Sequence, residues 1–209
     1  MRSAGTASAD LGATTRSTCV PCLIGTTAVL PGQASCAPCA QGTYGVPDPQ
    51  HPGFFVCQAC APGSFLNYTG GVMLATGGSP CYPCPLGTFF GGTGAPACTP
   101  CPAGSYSASL GATACTLVAP GFYINGTGSV SAAAGQGCLP GSYSAVPGAQ
   151  RCSPCAPGTY ANSSASTSCT LCPAGTALAS YGGEKLANCL ACDPGAQQDD
   201  SCLTCQTKV

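Results

Sequence analysis

The sequence predicts a small disulfide-rich fold, mostly irregular with short β-hairpins, repeated in tandem as an elongated rod with no large hydrophobic core. Three observations predict it. Twenty cysteines stand among 209 residues, and eighteen of them form nine C-x2-C pairs spread over the whole chain. Leu, Ile, Val and Phe together make only 31 of the 209 residues, below the roughly 20% at which a chain buries an ordinary core. The 30 glycines and 20 prolines interrupt every stretch long enough for a helix. Cross-links must therefore replace the core, and each removes unfolded-state entropy worth on the order of 3 kcal/mol for a loop of ~15 residues.

The pairs are Cys19/Cys22, Cys36/Cys39, Cys57/Cys60, Cys81/Cys84, Cys98/Cys101, Cys152/Cys155, Cys169/Cys172, Cys189/Cys192 and Cys202/Cys205, with Cys115 and Cys138 single. Loops aligned on the cysteine that opens them share one grammar. Cys60-Ala61-Pro62-Gly63-Ser64-Phe65, Cys101-Pro102-Ala103-Gly104-Ser105-Tyr106 and Cys155-Ala156-Pro157-Gly158-Thr159-Tyr160 are typical. Glycine stands three places after the cysteine each time, and a Pro/Gly turn there reverses the chain. The following Ser/Thr and aromatic suit a short strand, with the aromatic expected over the disulfide as a miniature core. Repeats of this kind are expected to contact only their neighbours. The array reads as an incomplete first repeat over 1–21, five repeats over 22–115, a degenerate repeat over 116–137, four repeats over 138–205 and a tail over 206–209. Residues 5–14 echo residues 104–113, so the chain is expected to begin inside a repeat.

The degenerate repeat bears on the pairing. Val118 stands where its opening cysteine should be, and Gly135 where its closing one should be. Joint loss of two partners leaves no orphan thiol, which favours bonds within each loop: Cys22–Cys36, Cys39–Cys57, Cys60–Cys81, Cys84–Cys98, Cys101–Cys115, Cys138–Cys152, Cys155–Cys169, Cys172–Cys189 and Cys192–Cys202. Cys19 and Cys205 are then left for partners outside the chain. A nested ladder, with Cys115–Cys138 around the lost pair and Cys36–Cys60 around Cys39–Cys57, accounts for the same loss, and spacing does not separate the two. Thr116 to Gly137 is the longest unstapled stretch and is expected to act as a joint.

Charge excludes several functions. Only 11 residues are charged and the net charge is -1, so no basic stripe exists to bind nucleic acid or an anionic membrane surface. No apolar run approaches the roughly 18 residues of a membrane span. His51 is the one histidine and reads as a solvated loop residue; the doublet Asp199-Asp200 reads as a solvated turn and not a calcium site. No catalytic residue, metal ligand or cofactor site is expected. Three N-x-[ST] sequons at Asn67, Asn125 and Asn162 mark candidate N-glycosylation sites inside the loops.

The run C-x2-C-P-x-G-T-Y/F, with about thirteen residues to the next C-x2-C, resembles the ephrin-receptor-type cysteine-rich repeat. Each loop is also similar to the single-disulfide first module of a tumour-necrosis-factor-receptor domain. The resemblance implies an extracellular, non-enzymatic repeat protein. Long Ala/Gly/Ser-rich arrays of this type look like the large surface glycoproteins of algae and other protists, including flagellar hairs (mastigonemes). The leading expectation is a structural or adhesive segment of a larger extracellular glycoprotein, packing with copies of itself or other chains into a coat, filament or flagellar hair and bearing N-linked glycans. Two alternatives stand beside it: a ligand-binding receptor-like ectodomain, and a zinc-binding array in which C-x2-C-x13-C-x2-C supplies four thiolates.

Overall fold

The computed structural model describes residues 6–8, 19–28, 33–192, 196–198 and 205–207. Among them there is no α-helix, only two short 3-10 turns at Ala132–Ala134 and Leu186–Asn188. The strands form ten two-stranded sheets and one three-stranded sheet. Most strands are two residues long, too short to bury a face of their own. The predicted class, small stapled hairpins repeated in tandem, is the observed one.

Each hairpin starts in the same way. After the opening cysteine the chain makes a four-residue turn closed by a backbone bond, as in Thr43 N–H to the Ala40 carbonyl at 3.0 Å and Ser142 N–H to that of Leu139 at 3.0 Å. In every described turn its third residue is glycine with positive φ, from +75° at Gly63 and Gly87 to +86° at Gly104, which is the geometry of a type II turn. The Ser/Thr that follows donates its hydroxyl to the same carbonyl: Thr26 to Leu23, Thr43 to Ala40, Ser64 to Ala61 and Thr88 to Pro85, all at 2.7–2.8 Å. The hydroxyl thus locks the turn. Phe122, in the degenerate repeat, keeps the backbone bond at 3.2 Å without a hydroxyl.

The outgoing strand pairs antiparallel with the two residues between the next cysteine pair. Ser64 and Phe65 face Pro83 and Tyr82, and Thr159 and Tyr160 face Leu171 and Thr170. One hairpin is longer: Thr43–Pro47 pairs over five residues with Phe55–Ala59 and takes Gly71–Val72 as a parallel third strand.

The chain divides into two compact units: Met1–Thr99 with Ser109–Ala114, and Pro100–Ala108 with Cys115–Val209. Within the first, a recurring backbone ladder ties each repeat to the next. Cys60 N–H donates to the Gly42 carbonyl at 2.8 Å, Gly42 N–H to that of Leu66 at 2.8 Å, and Gly94 N–H to that of Cys60 at 2.9 Å. The second unit repeats the same three bonds: Cys155 to Gly141, Gly141 to Ala161 and Gly182 to Cys155, each at 2.8 Å. With strands this short, these bonds between repeats do what a sheet ladder does elsewhere, satisfying backbone groups beside the buried cysteines.

The interior is a series of small clusters. Cys60, Cys84, Cys101, Cys138 and Cys155, all opening cysteines, are fully buried. The residue after the aromatic position is buried in most repeats, as at Ala28, Leu66, Ser107, Ile124, Ser144, Ala161 and Leu178, whereas Phe65, Tyr106, Tyr143 and Tyr160 are half-buried; Tyr44 is buried, and Phe90 is half-buried. Side chains alternate along an extended strand, so the two cannot share a face. The aromatic instead serves the following loop. Tyr44 packs with Cys60, Leu66 and Cys81, and Tyr160 packs against Cys172, Leu178 and Cys189. The expected miniature core exists, but it is built from two successive repeats.

Candidate functional site

The chemistry of the chain lies in its staples. Eight disulfides join Cys22–Cys36, Cys39–Cys57, Cys60–Cys81, Cys84–Cys98, Cys101–Cys115, Cys138–Cys152, Cys155–Cys169 and Cys172–Cys189. Every one closes a single loop, with Cα separations of 5.6–5.9 Å, and none follows the nested ladder. Cys192 is also disulfide-bonded; Cys202, its expected partner, lies outside the described residues. Cys19 is a free, half-buried thiol, and the side chain of Cys205 lies outside the described set. Sixteen cysteines oxidised in this way hold no thiolate for a metal, so the four-cysteine zinc reading has no ligands among them. The described residues contain no group of three or more His, Cys, Asp or Glu side chains placed to hold an ion.

The degenerate repeat shows what replaces a staple. Val118 is buried at 4% exposure, and a Cβ on Gly135 would stand 2.9 Å from its Cγ2. The valine side chain therefore fills the place of the missing bond, and glycine leaves room for it. The ladder continues without interruption: Val118 N–H donates to the Gly104 carbonyl and Gly148 N–H to that of Val118, both at 2.9 Å. Tyr123 adds a bond of its own, from its hydroxyl to Gln136 Oε1 at 2.7 Å.

A second glycine column lies seven residues beyond the turn glycine: Gly70, Gly94, Gly111, Gly128, Gly148 and Gly182, all with positive φ. Gly70, Gly94, Gly111, Gly148 and Gly182 press against the turn glycine two repeats away. A Cβ on Gly42 would fall onto the carbonyl oxygen of Gly94, one on Gly63 onto that of Gly111, and one on Gly104 onto that of Gly148. Repeats therefore touch their second neighbours as well as their first, which corrects the nearest-neighbour expectation. The sequence reading passed over this column, although G-x6-G recurs visibly once the loops are aligned. Ala165 takes the place once, as the only non-glycine of positive φ among the described residues, at +57°. Its Cβ lies 3.5 Å from where a Cβ on Gly137 would be. Other repeats fill that neighbouring position with Pro38, Ala59, Pro83 or Leu117, so the methyl group has moved from one residue to the other.

Titratable groups are few. At the tip of the long hairpin, Asp48 accepts from Gln50 N–H at 2.8 Å and lies 2.9 Å from His51 Nδ1. The Gln50 backbone bond first, and then the His51 ring, hold its carboxyl below the usual aspartate range. This is an exposed turn and places no group for acid–base work. Asp199-Asp200 lie outside the described residues. Tyr82 packs on Phe65 with ring centroids 6.0 Å apart, while Tyr68 and Tyr181 are exposed. Asn67, Asn125 and Asn162 are all exposed. No helix of the described residues is long and apolar enough to cross a membrane.

Buried half-cystines, type II turns and a backbone ladder, recurring through the described residues, define a class: the tandem array of single-disulfide hairpin repeats. The family model described as tyrosine-protein kinase ephrin type A/B receptor-like matches residues 70–117, 87–134 and 141–189, more than half of the chain, and the chain belongs to this family. The matched repeats are a non-catalytic extracellular module and carry no kinase domain. No curated protein matches the chain. The staples and the family together indicate an oxidising, extracellular or secreted location.

Proposed function

We propose that the chain is a structural or adhesive segment of an extracellular glycoprotein, packing against copies of itself or other chains in a surface coat or filament. The observation that carries this reading is the pairing of covalent staples with a surface nearly free of charge. With 11 charged residues in 209, little electrostatic repulsion opposes close approach of one chain to another. Exposed aliphatic side chains recur at related places of the repeat, including Leu23 and Leu139 after an opening cysteine, Leu171 and Leu190 inside a C-x2-C pair, and Leu117 at the matching place between Cys115 and Val118. They offer apolar contact without a deep pocket. The narrower reading as a flagellar hair rests on the Ala/Gly/Ser-rich composition alone.

The family description names a receptor, which motivates the alternative of a ligand-binding ectodomain. Sedimentation of the secreted chain over a range of concentrations, with electron microscopy of the same samples, separates the two. Concentration-dependent assemblies of regular lateral spacing are expected. A chain that stays monomeric throughout and captures a soluble extracellular ligand would sink the structural reading.

A further inference from the structure

The three sequons occupy one position of the repeat. Asn67 lies seven residues after Cys60, Asn125 seven after Val118 and Asn162 seven after Cys155. Each follows the buried core residue and precedes the positive-φ residue by three: Leu66 and Gly70, Ile124 and Gly128, Ala161 and Ala165. Both flanks are pinned to other repeats through the backbone. Leu66 N–H donates to the Ala95 carbonyl at 3.0 Å and Gly70 N–H to that of Cys39 at 2.8 Å; Ile124 donates to Ala149 at 3.1 Å and Gly128 to Cys101 at 2.8 Å. In the third case Ala161 donates to Gly183 at 2.9 Å and Ala165 to Cys138 at 2.7 Å. Between the pins, residues 67–69, 125–127 and 162–164 form an arch. All nine are exposed, and among the described residues none takes part in a backbone–backbone hydrogen bond. Ser163 Oγ reaches Asn162 Oδ1 at 3.3 Å, a bond that leaves Nδ2 uninvolved.

Repeats without a sequon build the same arch, over 91–93, 108–110, 145–147 and 179–181, again fully exposed. Its first residue there is Gly91, Ala108, Ala145 or Ala179. Chance would scatter sequons over the loop. One residue earlier, at Leu66, Ser107 or Ile124, the side chain is buried, and three residues later the backbone is left-handed and pressed against a second repeat. The arch is where a bulky substituent fits, except at Gly91, where a Cβ would already stand 3.1 Å from the Thr113 carbonyl oxygen.

We propose that this arch is the modification position of the repeat, and that Asn67, Asn125 and Asn162 carry N-linked oligosaccharides there. The inference rests on the extracellular location and not on a structural or adhesive role. In the transfer, asparagine Nδ2 displaces the pyrophosphate from C1 of the first sugar of a lipid-pyrophosphate-linked oligosaccharide. An N–C1 bond forms, the C1–O bond breaks, one amide proton is released and the lipid pyrophosphate departs, with no change of oxidation state. The hydroxyls required two residues on are Thr69, Thr127 and Ser164.

The test is peptide mapping of the chain secreted from eukaryotic cells, digested with peptide N-glycosidase in 18O-water. Conversion to 18O-aspartate at all three asparagines is expected. A secreted, disulfide-bonded chain with the three asparagines bare would overturn the proposal alone, whereas retention with free thiols would overturn the extracellular location with it. Two variants test the position. Ala179→Asn with Tyr181→Thr puts a new sequon in the arch 179–181 and should add one glycan with secretion unchanged. Ser107→Asn makes a sequon with Ser109 one residue before an arch, at a buried site, and should lower secretion several-fold, more than Ser107→Asn with Ser109→Ala, which has no sequon. If Ser107→Asn is glycosylated and secreted as well as the arch variant, the arch confers nothing and the proposal fails.

Discussion

At the scale of single residues, glycine does two separable jobs here. Gly42 and Gly175 have nearly the same φ, +80° and +81°. Around Gly175 a Cβ would meet nothing within 4 Å among the described residues, whereas at Gly42 it would meet the Gly94 backbone. Gly175→Ala should therefore lose only the left-handed backbone preference, roughly 1–2 kcal/mol. Gly42→Ala should lose about 2 kcal/mol more from overpacking. Hydrogen exchange of the flanking ladder amides reads both locally, and equal losses would refute the close contact. Asp48 makes a residue-scale prediction of its own. Its carboxyl is held below the ordinary range by hydrogen bonds to the charged form, so the hairpin tip gains stability above the unfolded pKa. That gain disappears as pH falls through the lowered folded value. The Gln50 amide shift, followed by NMR, should titrate below the usual aspartate midpoint; a midpoint at the ordinary value would show that the bond is not held in solution.

At the scale of elements, the degenerate hairpin asks whether packing alone can hold a repeat. Its strands Phe122–Tyr123 and Gln136–Gly137 pair in the register of their neighbours, and Val118 stands in for the staple. Joint behaviour therefore depends on the missing covalent bond and not on a missing ladder. Val118→Cys with Gly135→Cys should form a ninth within-loop bond beside the eight described. It should slow exchange over 116–137 to the level of the stapled loops, with an entropic gain on the order of 3 kcal/mol for a loop of about 15 residues. Two thiols that remain titratable after oxidation would mean that these positions are not partners. If exchange over 116–137 in the unaltered chain already matches its neighbours, the segment is no joint.

At the scale of the whole molecule, within-loop bonding fixes how the chain comes apart. Arg151 lies between Cys138 and Cys152, and Lys185 between Cys172 and Cys189. Trypsin cuts at these two exposed residues should leave residues 17–208 as one piece on a non-reducing gel, and the segments on either side of each cut should separate only after reduction. Separation at Arg151 or Lys185 without reductant would contradict the pairing, whereas a cut at Arg16, ahead of every cysteine, frees only residues 1–16. A cut between 116 and 137 has no such bridge among the eight bonds and should divide the chain outright.

Much of the fold was legible because cysteine, glycine and proline impose local geometry. The C-x2-C spacing, the turn glycine and its Ser/Thr marked each hairpin, and the joint loss at Val118 and Gly135 pointed to the pairing partners. The exposure of Asn67, Asn125 and Asn162 could be expected from their place in loops, but not the arch that gathers them into one repeat position. What the sequence could not show was where each repeat spends its side chains. The aromatic serves the disulfide of the next loop, its successor serves the core, and the second glycine column meets the turn two repeats away. Those outcomes depend on distances between segments remote in the chain, which local geometry does not set. The sequence by itself determined the stapled hairpin. Only the tertiary structure decided how hairpins too small to bury a core share one among successive repeats.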